Sequence, residues 1–239
     1  STTQASVSNK IIGDIEVLPT PTFTRTGYTF GGWSDGTNTY PAGGSFTVGN
    51  SDQAFTAVWV GNSNTIFYNG NGATGGTTPD NGSQVTGAAY TVASNASSPN
   101  TLVKTGFTFA GWNTNANGTG TDYAEGATGL ATTSNVTLFA KWTAASFAVT
   151  YVTGVGASTA PTQANTMYGS TFTLPTAPTQ PGFNFLGWET GSGADATLFA
   201  PGSSYTMGSS AVTFTAKWSG LSYVVVYLLN GGSGTTPTH

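Results

Sequence analysis

Nine carboxylates, one histidine and no cysteine are all the chain offers for acid–base, nucleophilic or metal chemistry. A glycosidase needs two carboxyl groups facing each other across a cleft, and Asp14, Glu16, Asp35, Asp52 and Asp80 are scattered singly or in short-spaced pairs. Asp122 with Glu125, and Glu189 with Asp195, come nearest to an oxygen-ligand pair for Ca²⁺, but no D-x-D-x-D-G loop surrounds either. The one histidine is the final residue, His239, so no Ser-His-Asp arrangement can be drawn from it. Lys141 and Lys217 each precede a tryptophan. An isopeptide bond to an asparagine would require a buried, neutral amine, whereas both lysines fall on the outward side of their strands and read as solvated. With cysteine absent, disulfides and thiolate metal sites are excluded. The expectation is no catalytic residue, no metal and no cofactor.

Charge is equally sparse. Asp, Glu, Lys and Arg make up 6% of the chain, against about 25% in an ordinary globular domain. Hydrophobic residues at 37% and aromatics at 13% suffice for packed cores, which argues against a disordered polymer. Five basic residues and a net charge of −4 leave no means of neutralising phosphates, so nucleic acid is not an expected partner. No apolar run reaches the length of a membrane span. The opening STTQASVSNK is not a secretory signal, so any leader or anchor is expected outside this chain. A surface rich in Thr, Gly and Asn without Cys suits an exported bacterial protein.

The aromatic residues have an order that the charged ones lack. GYTFGGW at Gly27–Trp33 returns as GFTFAGW at Gly106–Trp112 and GFNFLGW at Gly182–Trp188, at nearly even spacing. A second phrase follows each, ending at Trp59, Trp142 and Trp218, so that the six tryptophans fall into three pairs of similar separation. Landmarks around Tyr40, Tyr123 and Phe199 lie between. A strand-like phrase with Tyr68 leads the second unit and one with Tyr151 leads the third. VVVYLLNGGSGTTP, with Tyr227, is a further copy with no unit after it, and the first unit has no such phrase before it. Joining the end of the chain to its beginning would put Tyr227 almost as far ahead of Gly27 as Tyr68 stands ahead of Gly106. Repeats of this kind mark structural modules. The boundaries expected are 1–61 for a first repeat lacking its initial strand, 62–143 and 144–219 for the second and third, and 220–239 for the initial strand of a further repeat.

Alternation with a period of two dominates throughout. Phe214, Ala216 and Trp218 share one face with Thr215 and Lys217 on the other, and Leu138, Ala140 and Trp142 repeat the pattern. Phe55, Ala57 and Trp59 do so again, with Val58 in place of the lysine. Gly31-Gly32 is expected to bend the strand ahead of Trp33. NG, GG, PG and DG turns punctuate the strands, and no stretch has convincing helical periodicity beyond one short turn per repeat. The class is mainly β.

These phrases resemble the Listeria–Bacteroides repeat, the internalin B-repeat family. The G-[YF]-x-F-x-G-W phrase, the aromatic-x-x-G turn and the A-K-W ending recur in order three times across essentially the whole chain. The resemblance implies small β-grasp-like modules in tandem along secreted and surface proteins. This chain departs from the family in its few Lys and Glu and in the insertion from Asn81 to Asn100.

The aromatics read as core rather than as a carbohydrate-stacking surface, because a module of this size needs large side chains to bury enough area. Phe107, Phe109, Trp112 and Trp142 are the expected core of the second module, and Phe183, Phe185, Trp188 and Trp218 that of the third. Phe139 and Tyr123 are the expected exposed aromatics. In the C-terminal segment, Tyr223, Val225 and Tyr227 fall on one face and Val224, Val226 and Leu228 on the other. A strand apolar on both faces should be covered on both, or paired with a partner. The acceptor expected for it is the first module, at Tyr28, Phe30, Trp33, Phe55 and Trp59. The function expected is a non-enzymatic segment of an extracellular or cell-surface protein. It would serve as an adhesin stalk, the sequence then being a window on a longer array whose adjacent repeats are its partners, or as a filament subunit joined to copies of itself by strand donation. The rival is a module that binds a glycan or a host protein through exposed aromatics.

Overall fold

Alternation becomes strand throughout the computed structural model, which describes residues 9–97 and 101–235. The first repeat holds β1 (Ile15–Val17), β2 (Tyr28–Ser34), β3 (Thr39–Tyr40), β4 (Ser45–Thr47) and β5 (Thr56–Gly61). The second holds β6 (Ser63–Asn69), β7 (Gly82–Val85), β8 (Phe107–Asn113), β9 (Asp122–Tyr123) and β10 (Val136–Ala144). The third begins with β11 (Ser146–Phe147), β12 (Val149–Val152), β13 (Thr166–Met167) and β14 (Thr171–Thr173). It continues with β15 (Phe183–Thr190), β16 (Thr197–Phe199), β17 (Ser204–Thr206) and β18 (Val212–Gly220). Among the described residues the helical elements are two 3₁₀ turns, Asn95–Ser97 and Gly193–Asp195. The chain divides into two compact units, one carrying the first and most of the second repeat and the other the third.

Each repeat is organised on its seven-residue phrase. In β2 and β15 the register against the neighbouring strand shifts between Phe30 and Gly32 and between Phe185 and Gly187. The glycine before the tryptophan has a positive φ in all three copies: 130° at Gly32, 111° at Gly111 and 153° at Gly187. A Cβ there would collide with the carbonyl oxygens of Tyr40, Tyr123 and Phe199 respectively, so only glycine fits. The bulge rotates the next side chain inward. The indole N–H of Trp33 donates to the Pro19 carbonyl at 2.8 Å, that of Trp112 to Ala93 at 2.9 Å and that of Trp188 to Pro175 at 3.1 Å.

The sheets around this phrase differ. In the second repeat the order is β7-β6-β10-β8-β9, with β6 parallel to β10 and Tyr68 opposite Leu138. In the third it is β12-β18-β15-β16, with β12 parallel to β18 and Tyr151 opposite Phe214. In the first it is β3-β2-β5, and β5 is the edge. The second repeat closes a core around Ile66, Tyr68, Trp112 and Leu138, and the third around Tyr151, Trp188, Met207 and Phe214.

Five aromatics stand elsewhere than expected. Phe183 is 44% exposed, and Phe107 packs edge-on against Tyr168 at 5.4 Å rather than joining the core. Both are the first residue of their strand, on the inward side but past the end of the hydrophobic layer, so alternation alone placed them wrongly. Tyr28 holds the same position in the first repeat, with the Arg25 guanidinium 4.0 Å above its ring. It therefore stands at the strand's end, apart from the ring groups that hold Trp33 and Phe55. Tyr123 packs against the second core, and Phe139 is half-buried.

Candidate functional site: the open edge of the first repeat

Carboxylates and lysines form surface pairs instead of a reaction centre. Lys141 pairs with Asp122, and Lys217 reaches Glu189 at 3.2 Å, with all four side chains partly exposed. Asp122 also accepts from the Asn113 amide, and its carboxyl is held below the usual range, first by the Lys141 hydrogen bond and then by Asn113. Glu125 accepts from Ser94 at 3.1 Å and from the Asn95 N–H at 2.5 Å. Among the described residues no three metal-ligating side chains come together. His239 lies outside the described residues.

What distinguishes one place in the molecule is an incomplete sheet. β10 and β18 begin six residues before Trp142 and Trp218, whereas β5 begins three residues before Trp59. The positions left out of β5 are Gln53, Ala54 and Phe55. In the other repeats the corresponding residues are the ones paired with β6 and β12. On the side of β5 that faces β2, a cavity of about 320 Å³ lies between the left-out positions and the turn after β2, lined by Asp35, Thr37, Asp52, Gln53 and Ala54 among others. Asp35, at its rim, accepts from the backbone N–H groups of Asn38 and Thr37, which lower its pKa to about 2.

The aromatic contacts record the same gap. Tyr151 stacks on Phe214 at 5.5 Å and stands edge-on to Trp188 at 4.9 Å, so one ring joins the two. In the first repeat the residues equivalent to Phe214 and Trp188 are Phe55 and Trp33. They belong to separate groups: Phe55 with Phe46 and Tyr40, and Trp33 with Phe23, Phe30 and Trp59. Among the described residues no aromatic ring bridges the groups. Phe23 is an addition that sequence reading missed. It stands at the position of the buried Leu102 in the second repeat, and its place ten residues before the first tryptophan was the available signal.

A hydrogen bond is missing as well. The indole N–H of Trp142 donates to the Gly70 carbonyl at 3.0 Å, and that of Trp218 to the Thr153 carbonyl at 3.0 Å. Each acceptor lies two residues beyond the strand tyrosine. Trp59 has no counterpart to this bond among the described residues.

Tyr223–Leu229, the segment expected to be covered or paired, forms no strand within the chain. Its side chains are 44% to 88% exposed, with Tyr227 at 46%. Tyr68 and Tyr151 are 7% and 6% exposed. One acceptor-side feature runs against the pattern. Glu16 holds the inward position on β1 that Tyr90 and Phe172 hold in the other repeats. It pairs with Lys10 at 2.7 Å while Ile15 and Val17 point outward, 73% and 68% exposed.

Comparison with known proteins agrees with this threefold organisation. The Listeria–Bacteroides repeat domain matches residues 2–58, 65–141 and 147–217, the first match being the shortest. A protein described as a Gly-rich membrane protein of Evansella cellulosilytica is 33% identical over 219 residues, covering 88% of this chain. The chain spans about a quarter of that relative's length, 24%. The chain belongs to the Listeria–Bacteroides repeat family.

Proposed function

We propose that this chain is a non-enzymatic structural segment of an extracellular bacterial surface protein. It serves either as a stalk in which adjacent repeats of a longer chain complete one another, or as a filament subunit in which the strand Tyr223–Leu229 of one copy closes the first repeat of the next. The observation that carries this is the parallel strand present at the edge of β10 and of β18 and, among the described residues, missing at β5. Main-chain hydrogen bonds supply cohesion and alternate side chains supply selectivity, as in other strand additions. The contact joins two different surfaces, so it propagates as a fibre rather than closing on itself.

A glycan-binding surface is less well supported, because Tyr123 packs on the second core and Phe139 is half-buried. Light scattering and electron microscopy of the 239-residue chain, beside a variant truncated from Ser222 onward, test the assembly. Fibres or concatemers from the full chain and monomers from the folded truncation are expected. If both remain monomeric, head-to-tail donation is wrong and the segment acts as a spacer within a stalk.

A further inference from the structure

Resting on the reading of the chain as a stalk or filament, we propose that its second and third repeats are shear clamps that bear tension along the chain. The chain enters the second repeat on β6 and leaves it on β10. These strands are parallel neighbours, from Ile66 opposite Val136 to Asn69 opposite Phe139. In the third repeat β12 and β18 stand in the same relation, from Val149 opposite Val212 to Val152 opposite Thr215. Because the paired strands run the same way, the incoming chain and the outgoing chain lie at opposite ends of the pair. Tension therefore slides one strand along the other and strains every rung of the evenly spaced ladder together. A pair pulled from one end opens a rung at a time instead. Forced unfolding is governed by the unfolding rate, so this geometry resists force without needing a larger core.

Side chains reinforce the two clamps unequally. Both have an indole tie from the last strand to the end of the first, Trp142 to Gly70 and Trp218 to Thr153. The second repeat adds two asparagines. Asn135 accepts from the Thr65 N–H at 2.8 Å, just ahead of the ladder, and the Asn71 side-chain amide donates to the Ala140 carbonyl at 2.9 Å, just past it. The equivalent residues of the third repeat are Ala211 and Gly154, whose side chains can form neither bond. Asn71 and Gly154 share a left-handed backbone, with φ of 47° and 91°. The second repeat is the stronger clamp.

With no native cysteine among the described residues, single-molecule tethers can be placed at chosen points of the full chain. Ser63→Cys with Thr143→Cys loads the second repeat in shear, whereas Ser63→Cys with Ser134→Cys peels the same ladder from one end; all three positions are exposed. The shear force is expected to be several times the peeling force, and equal forces would overturn the clamp. Asn71→Gly, which copies Gly154, should lower the shear force and leave the peeling force unchanged, because peeling reaches that bond last. An equal drop in both directions, or none in either, would remove Asn71 from the clamp. Ser146→Cys with Ser222→Cys loads the third repeat and should read a lower force than the second; an equal or higher one would overturn the ranking. Circular dichroism checks that each variant is folded before it is pulled. A weak clamp would leave the stalk or filament reading standing. Saturable binding on a glycan array would instead count against that reading and leave the forces as they are.

Discussion

In the third repeat Tyr151 fills the space between Phe214 and Trp188; in the first, Phe55 and Trp33 hold the same places with no ring between them among the described residues. The two repeats share their phrase, their bulge glycine and their indole tether to a proline carbonyl. β11 and β13 have no counterparts in the first repeat among the described residues, and neither has β12, the strand that carries Tyr151. Without it the first repeat has two buried hydrophobic residues among those described, Leu18 and Trp33, against a seven-residue buried cluster in the third. The repeat unit as written in the sequence is therefore not identical to the unit that buries a core. Domains this small bury a modest share of their surface, and the loss of a central inward tyrosine leaves the layer unclosed.

The largest expected effect sharpens that contrast. Trp188→Ala removes a fully buried ring and should cost about 3–5 kcal/mol. Trp33→Ala, in a repeat with no closed core, should cost about 1–2 kcal/mol because less surrounding contact is lost. Hydrogen exchange resolved by repeat during urea unfolding would read both. Equal losses would break the distinction between the repeats.

A second comparison sets Tyr68 against Tyr151. The Tyr68 hydroxyl accepts from the Ala93 N–H at 2.8 Å and shares a 3.2 Å contact with the Tyr90 hydroxyl. At the equivalent positions the third repeat has Pro175, which has no N–H, and Phe172, which has no hydroxyl. The Tyr151 hydroxyl is accordingly buried with no hydrogen-bond partner. Burial pushes both phenols above their ordinary pKa. Tyr68→Phe should destabilise by about 1–3 kcal/mol by orphaning a backbone donor, whereas Tyr151→Phe should be neutral or slightly stabilising. Chemical denaturation of the two variants checks the sign, and a loss at Tyr151 matching that at Tyr68 would contradict it.

Smaller effects are expected at the surface. Lys217→Met should leave the denaturation midpoint of the third repeat essentially where it is, because the pair with Glu189 is partly exposed and screened by solvent. A clear downward shift would mean that the pair holds β15 to β18. In the turn after β2, Asp35 has its pKa lowered to about 2, below its ordinary value of 3.8, by the Asn38 and Thr37 backbone N–H groups. The contribution of its turn is therefore present above pH 4 and is lost as the pH falls through about 2. Carboxyl resonances followed by NMR would show this, and a midpoint near 4 would contradict the two backbone hydrogen bonds.

Much of the architecture was legible because it is local. Period-two alternation located β5, β10 and β18, the strands that carry Trp59, Trp142 and Trp218, although Phe55 falls just before β5. The Gly-Trp pair marked the bulge because a positive φ beside a neighbouring carbonyl leaves no room for a Cβ. Lys141 and Lys217 read correctly as surface residues for the same reason of alternation. Tertiary structure alone decided which aromatics reach the core. Phe183 and Phe185 share one strand face, yet only Phe185 packs against the core while Phe183 lies past its end. It also decided that the tyrosine strand runs parallel to the last strand of its repeat, a pairing between the two ends of the repeat that no local pattern encodes. The roles of Phe23 and Glu16 were settled in the same way, by what stands opposite them. Alternation tells a side chain which face to take. Only the assembled sheet determines whether anything is there to meet it.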